Sequence, residues 1–223
     1  MNKYDIVSRI ENFAPLETAE AWDCSGWLVE TSKKSVEKIM LALTVTENVV
    51  RQALDADCDM IIAHHPLFTI PIDWCGIDIY CAHTNLDKAD GGTTDTLVEA
   101  LDLTISDKDE FVRYVDGSFE IGEFVKRLRT ISPNLRYVNN FEVERINRVG
   151  FCAGSGAEFI TVAQACGADA FVTGDVKFHT ALDSKIVVFD IGHFESEVLV
   201  LKRLAGLLGN IEVRIAKEKS PFL

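Results

Sequence analysis

The chain has 223 residues, of which 22 are Lys or Arg and 35 are Asp or Glu, so its formal net charge is −13. With 48% hydrophobic and 26% charged residues it has the balance of a globular protein of one large or two small domains. This composition excludes a wholly disordered chain, and no apolar window is long enough to predict a membrane span. The acidic charge disfavours nucleic-acid binding, which depends on Lys and Arg contacts to phosphate. Because no apolar signal core follows the first residues, we expect a cytoplasmic protein.

In its first half the sequence alternates predicted helices with short apolar strands. Residues 2–13 carry apolar side chains at helical spacing and stop at Pro15. Thr46 is a predicted N-cap for a helix that runs to about Ala56. The remaining elements of this half are predicted strands at 38–43, 59–63 and 77–82 and a helix at 93–101.

The second half repeats this rhythm. Strands are predicted at 111–115, 146–152, 170–173, 185–189 and 211–215, and helices at 121–129, 158–166 and 194–208. Short apolar strands that alternate with helices favour an α/β fold with mixed, largely parallel sheets flanked by helices. We expect two similar α/β halves, residues 1–110 and 111–223, with an approximate boundary.

The cysteines give no metal or redox motif. None of the six forms a Cys-x-x-Cys pair, which disfavours a zinc ribbon or a thioredoxin-type site. Without a signal peptide, disulfides are not expected, and we predict small, buried, reduced side chains. The six are Cys24, Cys58, Cys75, Cys81, Cys152 and Cys166.

The histidines concentrate where predicted strands end. Only His179 lies slightly further from a strand end, and the other four follow a strand or the turn after it. In open α/β sheets ligands collect outside the carboxyl ends of the strands, so this placement indicates a binding site. The four are His64, His65, His83 and His193.

Two of these histidines have a carboxylate four residues later, in His83-x-x-x-Asp87 and His193-x-x-x-Glu197. On a helix, positions i and i+4 share a face, so both side chains can meet one ion. Imidazole and carboxylate together suit zinc, iron, manganese or nickel. The number of ligands exceeds what one catalytic zinc needs, which favours a dinuclear site with ions about 3.5–4 Å apart.

Several neighbouring residues have an ordinary structural interpretation as well. His179 is as readily a loop histidine as a site residue, and Asp175 as readily a turn former as a residue of the site. Glu195 is expected to face solvent, and Gly154-Ser155-Gly156 is more readily a tight turn than a phosphate cradle. The tryptophans are expected to be packing residues, although a tryptophan near a metal cleft can stack on a base; they are Trp22, Trp27 and Trp74.

Four motifs in this order make the sequence resemble the Nif-three-like dinuclear-metal family, often described as GTP cyclohydrolase I type 2 homologues, in its compact bacterial form. The motifs are Ile62-Ala63-His64-His65-Pro66-Leu67-Phe68, Ala82-His83-Thr84-Asn85-Leu86-Asp87, Thr173-Gly174-Asp175-Val176-Lys177-Phe178-His179 and Gly192-His193-Phe194-Glu195-Ser196-Glu197. An earlier segment, Trp22-Asp23 with Gly26, extends the resemblance. It departs from the family pattern Trp-Asp-Asn-x-Gly-Leu at Cys24 and Trp27.

The resemblance implies two intertwined α/β repeats and a ring-shaped homohexamer. It implies two divalent ions per chain, zinc, iron or manganese, with His83 and His179 lining the cleft. The ligands that it implies are His64, His65, Asp87, His193 and Glu197. No catalytic residue follows from it.

Two functions are compatible with these residues. One is a metal-dependent hydrolase of a nucleotide-like or phosphate-bearing small molecule, such as a GTP cyclohydrolase, in which bound cations activate water. The other is a non-enzymatic metal carrier or a regulatory interaction module. A metal ion with an open coordination position favours the first function, and a closed ligand shell favours the second.

Overall fold

The computed structural model describes residues 1–222, which form two compact units. Unit 1 contains Met1–Gly92 and Val200–Lys219, so the chain returns to it near its end. Unit 2 contains Thr93–Leu199 and residues 220–222. The interpretation as two similar repeats at 1–110 and 111–223 stays a prediction.

Unit 1 is built from helices and strands that bury apolar side chains between them. Asn2 caps its first helix by accepting a hydrogen bond from the backbone N–H of Tyr4, and Thr46 caps the second through the N–H of Val49. The elements are α1 (Lys3–Phe13), β1 (Gly26–Val29), β2 (Lys38–Thr44), α2 (Glu47–Asp55), β3 (Met60–His65), β4 (Asp78–Cys81) and α3 (Thr84–Lys88), and, beyond unit 2 in the chain, α9 (Val200–Leu207) and β11 (Glu212–Ile215).

The sheet of unit 1 has the order β1-β4-β3-β2-β11. The pairs β11–β2, β2–β3 and β3–β4 are parallel, and β1 alone pairs antiparallel, on β4. Strand β3 is central, and its residues Met60–Ala63 are fully buried. Because the strands are parallel, the carboxyl ends of β2, β3 and β4 meet at one edge of the sheet.

Unit 2 carries the second sheet, whose order is β5-β6-β8-β9-β10-β7. The pairs β8–β9 and β9–β10 are parallel, whereas β5–β6, β6–β8 and β10–β7 are antiparallel. The elements are α4 (Thr93–Ala100), β5 (Asp107–Lys108), β6 (Arg113–Glu120), α5 (Ile121–Leu128), β7 (Arg136–Val138), β8 (Arg145–Phe151), α6 (Ile160–Ala165), β9 (Ala170–Thr173), α7 (Phe178–Asp183), β10 (Val187–Asp190) and α8 (His193–Glu197).

The structure confirms the predicted α/β class, with mixed sheets flanked by helices. The predicted helix at 194–208 is wrong in one respect, because a turn at 198–199 divides it into α8 and α9. The chain passes from unit 2 to unit 1 at this turn. The prediction for the cysteines is also partly wrong, because Cys24, Cys75 and Cys166 are exposed.

Among residues 1–222, no helix has both the length and the apolar character needed to cross a membrane.

Candidate metal-binding groups

Unit 1 brings together His64, His65, His83 and Asp87, here called the first histidine group. His64 and His65 end the buried strand β3, and His83 lies two residues after β4. The N–H of Asp87 donates to the carbonyl of His83 at 3.0 Å, so 83–87 forms a helical turn. The parallel pairing of β3 with β4 therefore delivers these side chains to one edge of the sheet.

Three side chains of the first histidine group, those of His64, His83 and Asp87, are close enough to share a cation. The ring centroid of His64 lies 5.0 Å from that of His65 and 5.2 Å from that of His83. The His64 Nε2 atom is 3.5 Å from Asp87 Oδ1. One nitrogen or oxygen atom each of His64, His83 and Asp87 lies within 4.8 Å of the others, and this separation fits ligands of a common ion.

In the first histidine group, the Nδ1 atoms of His64 and His65 form hydrogen bonds with neighbouring protein groups. His64 Nδ1 lies 2.9 Å from the carbonyl oxygen of Ala82, which can only accept, so this nitrogen carries the proton. His65 Nδ1 lies 2.6 Å from Thr44 Oγ1, in the strand beside it. Metal-binding histidines usually use one ring nitrogen in this way, which orients the ring and presents the other nitrogen to the ion.

His83 is held by a carboxylate rather than by a neutral group. Its Nδ1 lies 2.9 Å from Asp23 Oδ1, and the Asp23 side chain is fully buried. Asp23 also accepts hydrogen bonds from the backbone N–H of Cys24, the hydroxyl of Ser25 and both the N–H and the hydroxyl of Thr84. The Trp-Asp segment of the resemblance therefore belongs to this group, although the sequence assigned Asp23 no role.

Unit 2 contains a second histidine group, formed by Asp175, His193 and Glu197. His193 begins α8, three residues after β10, and Glu197 ends that helix. His193 Nε2 is 3.0 Å from Glu197 Oε2, and Nδ1 is 2.7 Å from Asp175 Oδ2. The i, i+4 geometry predicted for this pair is thus present. Asp175 adopts a left-handed turn with φ 54°, in keeping with its interpretation as a turn former, and its carboxylate contacts His193 Nδ1.

Gly154 makes room for the second histidine group. It has a φ of 67°, and a Cβ at this position would overlap the Oε1 atom of Glu197. Its N–H donates to the hydroxyl of Ser196 at 2.9 Å, and its carbonyl accepts from the N–H of Gly174 at 2.7 Å. The segment Gly154-Ser155-Gly156 is therefore a tight turn that supports α8, as the sequence favoured.

The two carboxylates strongly favour the charged form of His193 in the metal-free protein. Burial alone would lower the pKa of His193, but the hydrogen bonds and charges of Glu197 and Asp175 outweigh it and raise that pKa to about 9. A metal ion that binds His193 must therefore displace a proton.

This raised pKa predicts a pH dependence of stability in the metal-free protein. The folded-state pKa lies above the unfolded value of about 6.5, so the stabilisation is complete below about pH 6.5 and is lost as the pH rises toward 9. Denaturant unfolding in the presence of a chelator at pH 6 and pH 9.5 measures it. We expect His193→Gln to remove this part of the pH dependence; an unchanged dependence in the variant would contradict the assigned pKa.

A cleft in unit 2 adjoins the second histidine group. It has a volume of about 280 Å³, and its lining includes Asp175, Glu195 and Arg136. The Arg136 guanidinium lies 2.6 Å from Asp190 and is largely exposed. The cleft is large enough for a small molecule or part of one, and the ion pair of Arg136 with Asp190 lies at its wall.

Other residues singled out in the sequence occupy varied positions. His179 is exposed on α7 with its ring against Phe178, and Glu195 is half-buried beside Gly192. Trp22 is 64% exposed and lies edge-on to His83 at 6.2 Å, so its predicted packing role is wrong. Trp27 does pack, against Tyr80.

The donor atoms fit a divalent transition metal. Both groups offer imidazole nitrogen and carboxylate oxygen, the ligands used by zinc, iron and manganese. Cys81 lies beside the first group, where its thiol donates to the carbonyl of His64. Burial, followed by the charges of Asp23 and Asp87, raises the pKa of this thiol well above its usual range, so it stays protonated and is a poor ligand.

The α/β fold and the two histidine groups near its strand ends make this chain a candidate metal-binding protein. The chain is a member of the Duf34/NIF3 (NGG1p interacting factor 3) family, whose model matches residues 1–221. This confirms the resemblance seen in the sequence.

Two relatives and one solved structure are similar to this chain along its whole length. A protein of Clostridium perfringens named GTP cyclohydrolase 1 type 2 homolog is 33% identical, with 100% of this chain and 99% of the relative covered. A Campylobacter jejuni protein of the same name is 31% identical, with the same coverage. A hypothetical protein of Staphylococcus aureus has the same fold, with a TM-score of 0.89, 22% identity and coverage of 100% of this chain and 99% of that one.

Proposed function

We propose that this protein is a metal-dependent hydrolase of a nucleotide-like or phosphate-bearing small molecule. It binds two divalent ions per chain, zinc, iron or manganese, through His64, His65, Asp87, His193 and Glu197. One observation carries the proposal. In each group the histidine Nδ1 atoms lie within hydrogen-bond distance of other protein groups, and a carboxylate oxygen lies within 3.5 Å of a histidine Nε2 atom. This is the arrangement by which proteins orient metal-binding histidines.

The chemistry follows from the charges of the residues. A bound divalent ion lowers the pKa of water and polarises the bond under attack. Asp87 and Glu197 supply the negative charge that retains cations, and Asp175 orients His193. A chain of net charge −13 attracts an anionic substrate poorly, so local positive charge is needed. Arg136, at the wall of the cleft, is suited to contact a phosphate or carboxylate group of the substrate.

The relatives named GTP cyclohydrolase 1 type 2 homolog give the first substrate to test. We expect elemental analysis of reloaded protein to find about two divalent ions per chain. We also expect the loaded protein to hydrolyse GTP or another member of a nucleotide and phosphoester panel, and Arg136→Gln to raise KM more than it lowers kcat. Protein that retains no transition metal would contradict the proposal.

The family description favours a second candidate function, because it names an interacting factor rather than an enzyme. In that case the metal groups would serve carriage or structure, and the protein would regulate a partner. Loaded protein that binds two ions but turns over no substrate with zinc, manganese or iron would favour this function over hydrolysis.

We further propose that the protein acts in the cytoplasm as a ring-shaped homohexamer, as the family resemblance implies. Light scattering at micromolar concentration checks the assembly. A mass near six times 24.8 kDa is expected, and a stable monomer would contradict it.

A further inference from the structure

Asp23 is a buried carboxylate whose two oxygens are surrounded by hydrogen-bond donors. Two of its hydrogen-bond donors, the backbone N–H groups of Cys24 and Thr84, cannot act as acceptors. The hydroxyls of Ser25 and Thr84 donate to this carboxylate as well, so Asp23 acts as a hydrogen-bond acceptor throughout the network.

The charge on Asp23 determines which nitrogen of His83 carries the proton. An ionised carboxylate has no hydrogen to donate, so the 2.9 Å contact between Asp23 Oδ1 and His83 Nδ1 requires the proton on Nδ1. In neutral His83 the Nε2 atom then carries the lone pair. His83, His64 and Asp87 offer donor atoms within 4.8 Å of one another.

We propose that Asp23 is a positioning residue that makes His83 Nε2 a third ligand atom, beside His64 and Asp87, for a divalent cation. This inference rests on the metal-binding part of the proposed function and adds His83 to the five ligands that the resemblance implies. A carboxylate behind a metal-bound imidazole fixes its tautomer and raises its basicity, and losing such a partner commonly weakens metal binding about 10–100-fold.

The tautomer of His83 is measurable without any metal. Solid-state ¹⁵N NMR of histidine-labelled, metal-free protein at alkaline pH, with His83→Gln to assign the signal, is expected to show protonated Nδ1 and unprotonated Nε2. In Asp23→Asn this preference should be lost. A wild-type His83 protonated on Nε2 would overturn the proposal, and this measurement needs no folded variant at position 23.

Zinc titration supplies the second readout. We expect Asp23→Asn and His83→Gln each to weaken Zn²⁺ binding about 10–100-fold, and the double variant to lose little more than either alone because the two residues act as one unit. The matched control is Asp59→Asn. Asp59 is also a carboxylate of unit 1 whose pKa is lowered, because hydrogen bonds from Lys33, Glu37 and Lys38 outweigh its burial, and its variant should bind Zn²⁺ as the wild type does.

The outcomes separate this inference from the proposed function. Equal Zn²⁺ affinity in the wild type, Asp23→Asn and His83→Gln would overturn the role of Asp23 and leave metal binding by the other residues intact. Wild-type protein that binds no divalent ion would contradict the proposed function itself, and with it the role of His83 as a ligand.

Discussion

Replacing Glu197 by Gln is expected to weaken divalent-metal binding by more than about 100-fold. The change removes a negative charge but nearly keeps the shape of a side chain that lies 3.0 Å from His193 Nε2. Since even the outer partners of metal ligands commonly contribute 10–100-fold, loss of an anionic ligand should cost more. Asp87→Asn is expected to act in the same way on the first histidine group. Metal titration and thermal melts of the metal-free and loaded forms measure both effects.

Glu195→Gln is the matched control, because Glu195 lies in the same short helix and is not a proposed ligand. It should bind metal as the wild type does, and all three variants should fold when metal-free. Wild-type metal affinity in both ligand variants, or an equal loss in Glu195→Gln, would mean that the ligands are misassigned.

Gly154→Ala is expected to damage the second histidine group without touching a ligand. The new Cβ would overlap Glu197 Oε1, and the φ of 67° is strained for alanine. We expect the free energy of unfolding to fall by about 1–3 kcal/mol and metal affinity to fall at least tenfold, because Glu197 must move. Denaturant unfolding and metal titration measure the two effects.

Gly206→Ala is the control for this substitution. Gly206 lies in helix α9, and a Cβ there would meet nothing within 4 Å, so the change should stabilise the protein by about 0.5–1 kcal/mol and leave metal affinity unchanged. Gly154→Ala with wild-type metal affinity would show that Glu197 does not need this space.

The sequence predicted most of the fold because its main strands are short apolar runs bounded by turns. Strand β3, with its buried Met60–Ala63, is of this kind. The sequence pattern did not predict β1 or β7, which are only four and three residues long and depend on pairing with β4 and β10. It also joined α8 to α9, because helical periodicity does not reveal the turn at which the chain passes from unit 2 to unit 1.

The histidines and their i+4 carboxylates were visible in the sequence because spacing on a helix turn is local. Their supporting residues were not. Asp23 lies 60 positions from His83, and Thr44 lies 21 positions from His65, so no local pattern connects them. Pairing of β2 with β3 joins Thr44 to His65, and only the folded sheet shows this.

X-ray absorption spectroscopy of the zinc-loaded protein tests most directly the claim that histidine and carboxylate side chains hold the cations. We predict a first shell of nitrogen and oxygen at about 2.0–2.2 Å, with the outer-shell signal of imidazole rings. A sulfur shell at about 2.3 Å, or a first shell without imidazole, would contradict the account.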